Sequence, residues 1–161
     1  MKIILAAFAL CLTQFMSAQN KTTTYYLIRH AEKMDNSKNP DLSAIGSERA
    51  GNWNRIFSAI SFDAIYSTDY KRTIQTATPI AEKNKKEISI YNPQSVTITE
   101  FKKETSGKTV LIVGHSNTIP TFVNLLIGKK TFGDIEETVF GNLYIITLTE
   151  DSVSYQLLKL P

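Results

Sequence analysis

Three apolar runs in this chain each stop abruptly at residues that carry chemistry, and segments with helical spacing lie between them. The first, residues 24–28, ends at Arg29-His30-Ala31-Glu32. The second, residues 62–66, ends at Ser67-Thr68-Asp69, with Arg72 just beyond. The third, Thr109-Val110-Leu111-Ile112-Val113, is the most hydrophobic of the three and ends at Gly114-His115-Ser116-Asn117. Runs of β-branched and aromatic residues without polar alternation describe strands buried on both faces. Burial of that kind requires helices above and below a parallel sheet.

The helices can be read from spacing. Ser43 is a candidate N-cap before Ala50, Trp53, Ile56, Phe57 and Ile60, which recur every three or four residues. A second helix carries Arg72, Thr73, Thr76, Ala77, Ile80 and Ala81, with Ser67-Thr68-Asp69 expected to cap it. Residues 87–91 read as a short strand. Residues 96–104 suit either a strand or a helix capped by Ser95, and Gly107 as a stop favours the helix. Residues 119–127 form a helix with Pro120 in its first turn and Gly128 at its end. Residues 143–148 and 153–158 resemble two strands joined at Glu150-Asp151. The expected fold class is therefore α/β: a three-layer sandwich with a mostly parallel sheet, an antiparallel edge and helices on both faces.

One such domain, over residues 20–161, accounts for the rest of the chain after a leader. Residues 1–19 have Lys2, an apolar stretch over 3–12 and small residues at Ser17-Ala18, the pattern of a signal peptide that is removed. The apolar stretch is too short to span a bilayer, so no stable membrane insertion is expected after removal, and the location is periplasmic or secreted. Cys11 is the only cysteine and lies inside the leader, which leaves the mature domain without a thiol. Disulfides, thiolate catalysis and cysteine-ligated metal are thereby excluded. Removing Lys2 from the 18 basic residues leaves 17 against 15 acidic ones, a balance of +2. That excess is too mild to make nucleic acid a partner.

In open α/β sheets, ligands sit at the carboxyl ends of strands. Parallel strands would therefore bring Arg29, His30, Arg72 and His115 to one pocket, and both histidines of the chain directly follow an apolar strand. Two planar guanidinium forks suit a dianion such as phosphate. The amides at the start of the helix after His115 add partial positive charge. With no thiol, imidazole is the best nucleophile on offer, and neighbouring cations keep it neutral.

The segments Arg29-His30-Ala31-Glu32, Ser67-Thr68-Asp69-Tyr70-Lys71-Arg72-Thr73-Ile74-Gln75-Thr76-Ala77 and Val113-Gly114-His115-Ser116-Asn117-Thr118 resemble the three signatures of the histidine phosphatase superfamily, whose fold is phosphoglycerate mutase-like. Leu42-Ser43-x-x-Gly46 is similar to the segment that leads into that family's first helix. The resemblance implies that His30 is transiently phosphorylated and that Arg29, Arg72 and His115 hold the phosphoryl group. Ser116 and Asn117 are further phosphate-binding candidates, and neither cofactor nor metal is required. Ala31 stands where the family commonly has glycine. The insertion that holds the general acid in larger members has little room here. Glu32, close to His30, is the first candidate for that acid, ahead of Asp35, Asp41 and Glu100. Its other role would be a salt bridge to Arg29 or Arg72. Ser67 and Thr73 either bond a phosphate oxygen or serve as cap and packing.

The implied activity is that of a histidine acid phosphatase-type phosphomonoesterase. Its substrate would be a small phosphorylated molecule or an envelope glycan outside the cytoplasm. The alternatives are a non-catalytic phosphate-binding module of the same fold and a phosphohistidine protein phosphatase. A mutase ranks lower, because the chain is too short for a covering segment. A metal site on both histidines ranks lowest, having only scattered carboxylates to complete it. Replacing either Arg29 or Arg72 by alanine is expected to lower turnover and leave the fold intact.

Overall fold

The computed structural model describes residues 21–161, so the expected leader over 1–19 lies outside the described residues. Six strands and four helices alternate: β1 (Thr23–Arg29), α1 (Ala44–Ile56), β2 (Ala64–Ser67), α2 (Lys71–Asn84), β3 (Ile88–Ile90), α3 (Ile98–Glu104), β4 (Thr109–Gly114), α4 (Thr118–Ile127), β5 (Asn142–Leu148) and β6 (Val153–Lys159). They form one sheet in the order β3-β2-β4-β1-β5-β6. The first three neighbouring pairs are parallel, and β5 and β6 add antiparallel strands at one side. The fold is the α/β sandwich expected from the apolar runs. Among the described residues no helix is long and apolar enough to cross a membrane.

Alternation along the strands divides the core in two. Tyr25 and Leu27 of β1, with Val110 and Ile112 of β4, pack on one face against Phe101 of α3 and Ile119, Phe122, Val123 and Leu126 of α4. Ile28, Leu111 and Val113 pack on the other face against Trp53 and Phe57 of the α1 region and Ala77, Ile80 and Ala81 of α2. Each central strand is thus buried on both sides, as its unbroken apolar character requires. Ile56 is the exception to the expected stripe on α1 and lies half exposed.

The helix ends refine the sequence reading. Ser43 caps α1 through a 3.0 Å bond from the Gly46 amide to its hydroxyl. Gly46 sits so close to the Glu32 carbonyl that a Cβ there would overlap it. Glycine at this position lets α1 press against the turn that follows His30. The ambiguous segment folds as helix α3, with Thr97 rather than Ser95 at its N-cap. Gly128 ends α4 in the left-handed conformation, φ 73°. The expected cap of α2 by Ser67-Thr68-Asp69 is not formed. Tyr70 holds the N-cap position, and the Ser67 hydroxyl bonds the Thr68 carbonyl instead.

Candidate active site

Register brings the polar strand ends together. Arg29 of β1 lies beside Gly114 of β4, and Ser67 of β2 beside Val113. Just past these pairs the His30 amide bonds the Gly114 carbonyl at 2.9 Å, and the Thr68 amide bonds the Val113 carbonyl. Thr68, His115 and His30 therefore follow one another along one sheet edge, at the ends of β2, β4 and β1. The turn after His30 is tied to α2 by Thr76, whose hydroxyl accepts from the Ala31 amide at 3.0 Å and donates to the Arg72 carbonyl at 2.7 Å. Ala31 is fully buried there, so its methyl group is accommodated where the family commonly has glycine.

Arg29, His30, Arg72, His115, Ser116 and Asn117 all line one open cavity of about 1110 Å³. The two imidazole rings are 5.3 Å apart between centroids. His30 is 4% exposed, and its Nδ1 lies 2.7 Å from the Ala31 carbonyl oxygen. A carbonyl only accepts, so Nδ1 carries the proton and Nε2 keeps its lone pair. On His115 the logic reverses. The Arg72 guanidinium, 3.3 Å from His115 Nδ1, can only donate, so Nδ1 accepts and Nε2–H donates to Thr68 Oγ1 at 3.0 Å. The Thr68 hydroxyl then donates to that of Thr73, which closes the turn onto the Thr68 and Tyr70 carbonyls. Ser67 and Thr73 therefore shape the turn and do not line the cavity.

The two arginines, equivalent in sequence reasoning, differ in the fold. Arg29 is 2% exposed. Its Nη1 donates to the backbone carbonyls of Glu136, Glu137 and Val139 at 2.9–3.0 Å, Nη2 bonds Glu137 Oε2 at 2.8 Å, and its guanidinium lies 4.4 Å from the Phe140 ring centroid. Its buried Nε–H has no partner. Arg72 is partly exposed, stacks over Tyr70 at 4.5 Å and pairs with His115. Arg29 therefore organises a loop as well as the cavity, which corrects the expectation that either arginine can be removed without cost to the fold.

Glu32 stands apart from the cavity lining. Arg49 of α1 grips its carboxylate with Nε at 2.8 and 3.0 Å and Nη2 at 2.8 Å. Its ion pair runs to neither Arg29 nor Arg72, and a carboxylate held this way is a clasp between α1 and the first turn. Asp35 bonds the Ser37 amide, and Asp41 binds Lys71 and Gln75. Glu100 on α3 does not line the cavity either. The acids that do are Asp69, Asp134 and Glu137. Sequence reasoning passed over Thr68, Tyr70, Glu137 and Phe140. The acidic pair Glu136-Glu137 beside an aromatic in an otherwise aperiodic loop was the only local signal. Among the described residues no group of three or more histidine, cysteine, aspartate or glutamate side chains is placed to hold a metal ion.

Burial above all, with the two nearby arginines adding to it, holds the His30 pKa down at about 3 and that of His115 at about 4, while the Ala31 carbonyl, the second-largest influence on His30, pulls the other way. Both rings are neutral at neutral pH. An unfolded histidine titrates near 6.5, so between pH 6.5 and about 4 the unfolded chain takes up protons that the native chain refuses. Each such histidine then costs the native state up to ~1.4 kcal/mol per pH unit as the pH falls. Urea midpoints are expected to drop from pH 7 to pH 5, and phosphate, by favouring the imidazolium form, to restore part of the loss. A midpoint that rises over this interval contradicts the buried neutral pair.

A sheet edge that gathers two neutral imidazoles, two guanidinium groups and the N-terminus of α4 presents groups that can hold a dianion such as phosphate. Residues 25–93 match the model of the histidine phosphatase superfamily, branch 1. The matched segment includes Arg29, His30 and Arg72, and the fold brings His115 to join them from beyond it. No curated protein matches the sequence.

Solved structures share the fold at low identity. An alpha-ribazole phosphatase from Shigella flexneri is 15% identical, with 85% of this chain and 96% of the other covered and a TM-score of 0.68. For a phosphoglycerate mutase from Bacillus anthracis the figures are 16%, 87%, 94% and 0.65. For a phosphoserine phosphatase from Entamoeba histolytica in complex with 3-phosphoglyceric acid they are 16%, 83%, 96% and 0.57. The family match thus spans residues 25–93, and over the described chain the solved structures share its fold, that of the phosphoglycerate mutase among them.

Proposed function

We propose that this chain is a metal-independent phosphomonoesterase that works through a phosphohistidine at His30. The observation that carries this reading is the fixed tautomer of His30: its Nδ1–H is committed to the Ala31 carbonyl, so Nε2 is the nucleophilic nitrogen in a cavity lined by both arginines. Nε2 attacks phosphorus, the ester oxygen departs with a proton, and water then hydrolyses the phosphohistidine. Arg72, oriented by His115, and the unpartnered edge of Arg29 offset charge on the phosphoryl oxygens as the ester bond breaks. Ser116 and Asn117, at the start of α4, complete the anion site.

The cavity is many times larger than a phosphate, and its lining also includes Asn92, Gln94, Asp69 and Asp134. Amides and carboxylates in that number suit a small hydroxylated leaving group, such as a sugar phosphate or a phosphorylated envelope glycan. The leader-like residues 1–19 support a place outside the cytoplasm and a small secreted branch of the superfamily.

The test is acid-quench capture of label from a 32P-labelled aryl phosphate, followed by peptide mapping. Acid-labile label on the peptide containing His30 is expected. Tight phosphate binding with no label would instead make the domain a binding module, and label on any other residue would displace His30 from the mechanism.

A further inference from the structure

With Glu32 clasped by Arg49, the reaction proposed above lacks a proton donor for the leaving oxygen. Three carboxylates line the cavity, and only Glu137 is bonded to residues of the anion site. Its Oε2 accepts from Arg29 Nη2 at 2.8 Å and its Oε1 from the Ser116 hydroxyl at 2.9 Å. The carboxylate thus bridges two groups assigned to phosphate and occupies part of the place a phosphoryl group would take. Its side chain is 74% exposed, so nothing but these bonds restrains it.

The backbone beneath it is built into the fold. Ile135 is buried, and its amide bonds the Ser116 carbonyl at 2.9 Å. The carbonyls of Glu136, Glu137 and Val139 converge on Arg29 Nη1, and the Val139 amide turns back to the Glu136 carbonyl. A fixed backbone with a free side chain holds a carboxyl group at the cavity mouth and lets it swing.

We propose that Glu137 is the proton donor, and that in the empty site it waits on Arg29 and Ser116 until the substrate's phosphoryl group displaces it. This assignment rests on the phosphohistidine reading. Bonded to Ser116 and Arg29, the Glu137 carboxyl is held below its usual range. Displacement strips away those donors and sets it beside a dianion, and both changes favour uptake of a proton from solvent. As the bond from His30 Nε2 to phosphorus forms and the ester P–O bond breaks, the Glu137 carboxyl gives that proton to the departing oxygen, which leaves as an alcohol. The resulting carboxylate takes a proton from the water that attacks phosphohistidine. Inorganic phosphate forms, His30 regains its lone pair, and the acid is reset.

Glu137→Gln separates proton donation from positioning, because the amide oxygen still accepts from Arg29 Nη2 while the amide nitrogen donates to the Ser116 hydroxyl oxygen. The experiment measures kcat/KM across phosphate monoesters whose leaving groups run from nitrophenol to simple alcohols, together with inhibition by inorganic phosphate. Glu137→Gln is expected to lose ~100-fold or more on alkyl esters and no more than ~10-fold on nitrophenyl phosphate, which steepens the leaving-group dependence. Its affinity for inorganic phosphate is expected to rise several-fold, since no anion competes for Arg29. An unchanged leaving-group slope, an unchanged phosphate affinity, or a steeper slope found in Asp134→Asn and not in Glu137→Gln overturns the assignment. Absence of nitrophenyl phosphate hydrolysis by the unaltered protein fails the phosphohistidine reading itself, so the two failures are distinguishable.

Discussion

His30→Ala is expected to lower kcat on an aryl phosphate by at least ~10⁴-fold, equivalent to about 5 kcal/mol of barrier. The imidazole supplies the only attacking atom in the proposed sequence, and its replacement leaves water to reach phosphorus unaided within the same cation-lined cavity. The anion site itself survives, because Arg29, Arg72, Ser116 and the start of α4 are held by contacts that do not pass through the imidazole of His30. Affinity for inorganic phosphate is therefore expected to stay within ~3-fold, which follows from removing a neutral ring and not a charge. Turnover and phosphate titration on the same preparation check both halves. Residual turnover above a hundredth of the unaltered value would falsify His30 as nucleophile, whatever the affinity shows.

The parts of this site that could be read from the chain are those where local pattern and topology impose the same answer. β1 and β4 announce themselves because a strand buried on both faces must be apolar throughout, and the residue after such a strand falls at a sheet edge by geometry alone. His30 and His115 meet for that reason, although they stand 85 positions apart in the chain. Thr68 was hidden because a Ser-Thr-Asp run before a helix carries the same signal as an N-cap. Here β2 continues through Ser67, and the turn is closed by the Thr73 hydroxyl. Glu32 misled because nearness to His30 along the chain says nothing of Arg49 on α1, whose guanidinium can reach Glu32 only once Gly46 has let that helix close in. Glu137 and Phe140 lie in a loop without period. Their place follows from what Arg29 gathers around itself, a long-range fact with no local trace.

The same gathering separates the two arginines. Arg29→Ala is expected to cost about 3 kcal/mol or more of stability in addition to lowering turnover, whereas Arg72→Ala costs turnover with little change in stability. Removing the buried Arg29 side chain leaves the carbonyls of Glu136, Glu137 and Val139 without their donor, frees the Glu137 carboxylate and opens a void beside Phe140. A carbonyl left unpaired costs ~1–3 kcal/mol when water cannot reach it, and the lost packing adds to that. Arg72 instead lies at the cavity wall over Tyr70 and bonds only His115 within this constellation, so water can take its place. Both variants lose a cation that offsets phosphoryl charge, and each is expected to fall by ~10²–10³-fold or more in kcat. Urea unfolding distinguishes them, with a lowered midpoint at unchanged slope for Arg29→Ala and a near-native midpoint for Arg72→Ala. Arg29→Lys is the sharper comparison. An ammonium keeps the charge but cannot span three carbonyls and a carboxylate from one planar fork, so it is expected to recover less than half of the lost stability. Equal midpoints for Arg29→Ala and Arg72→Ala would mean that the loop over residues 133–141 keeps its place without the guanidinium, and that its apparent anchor is only a neighbour.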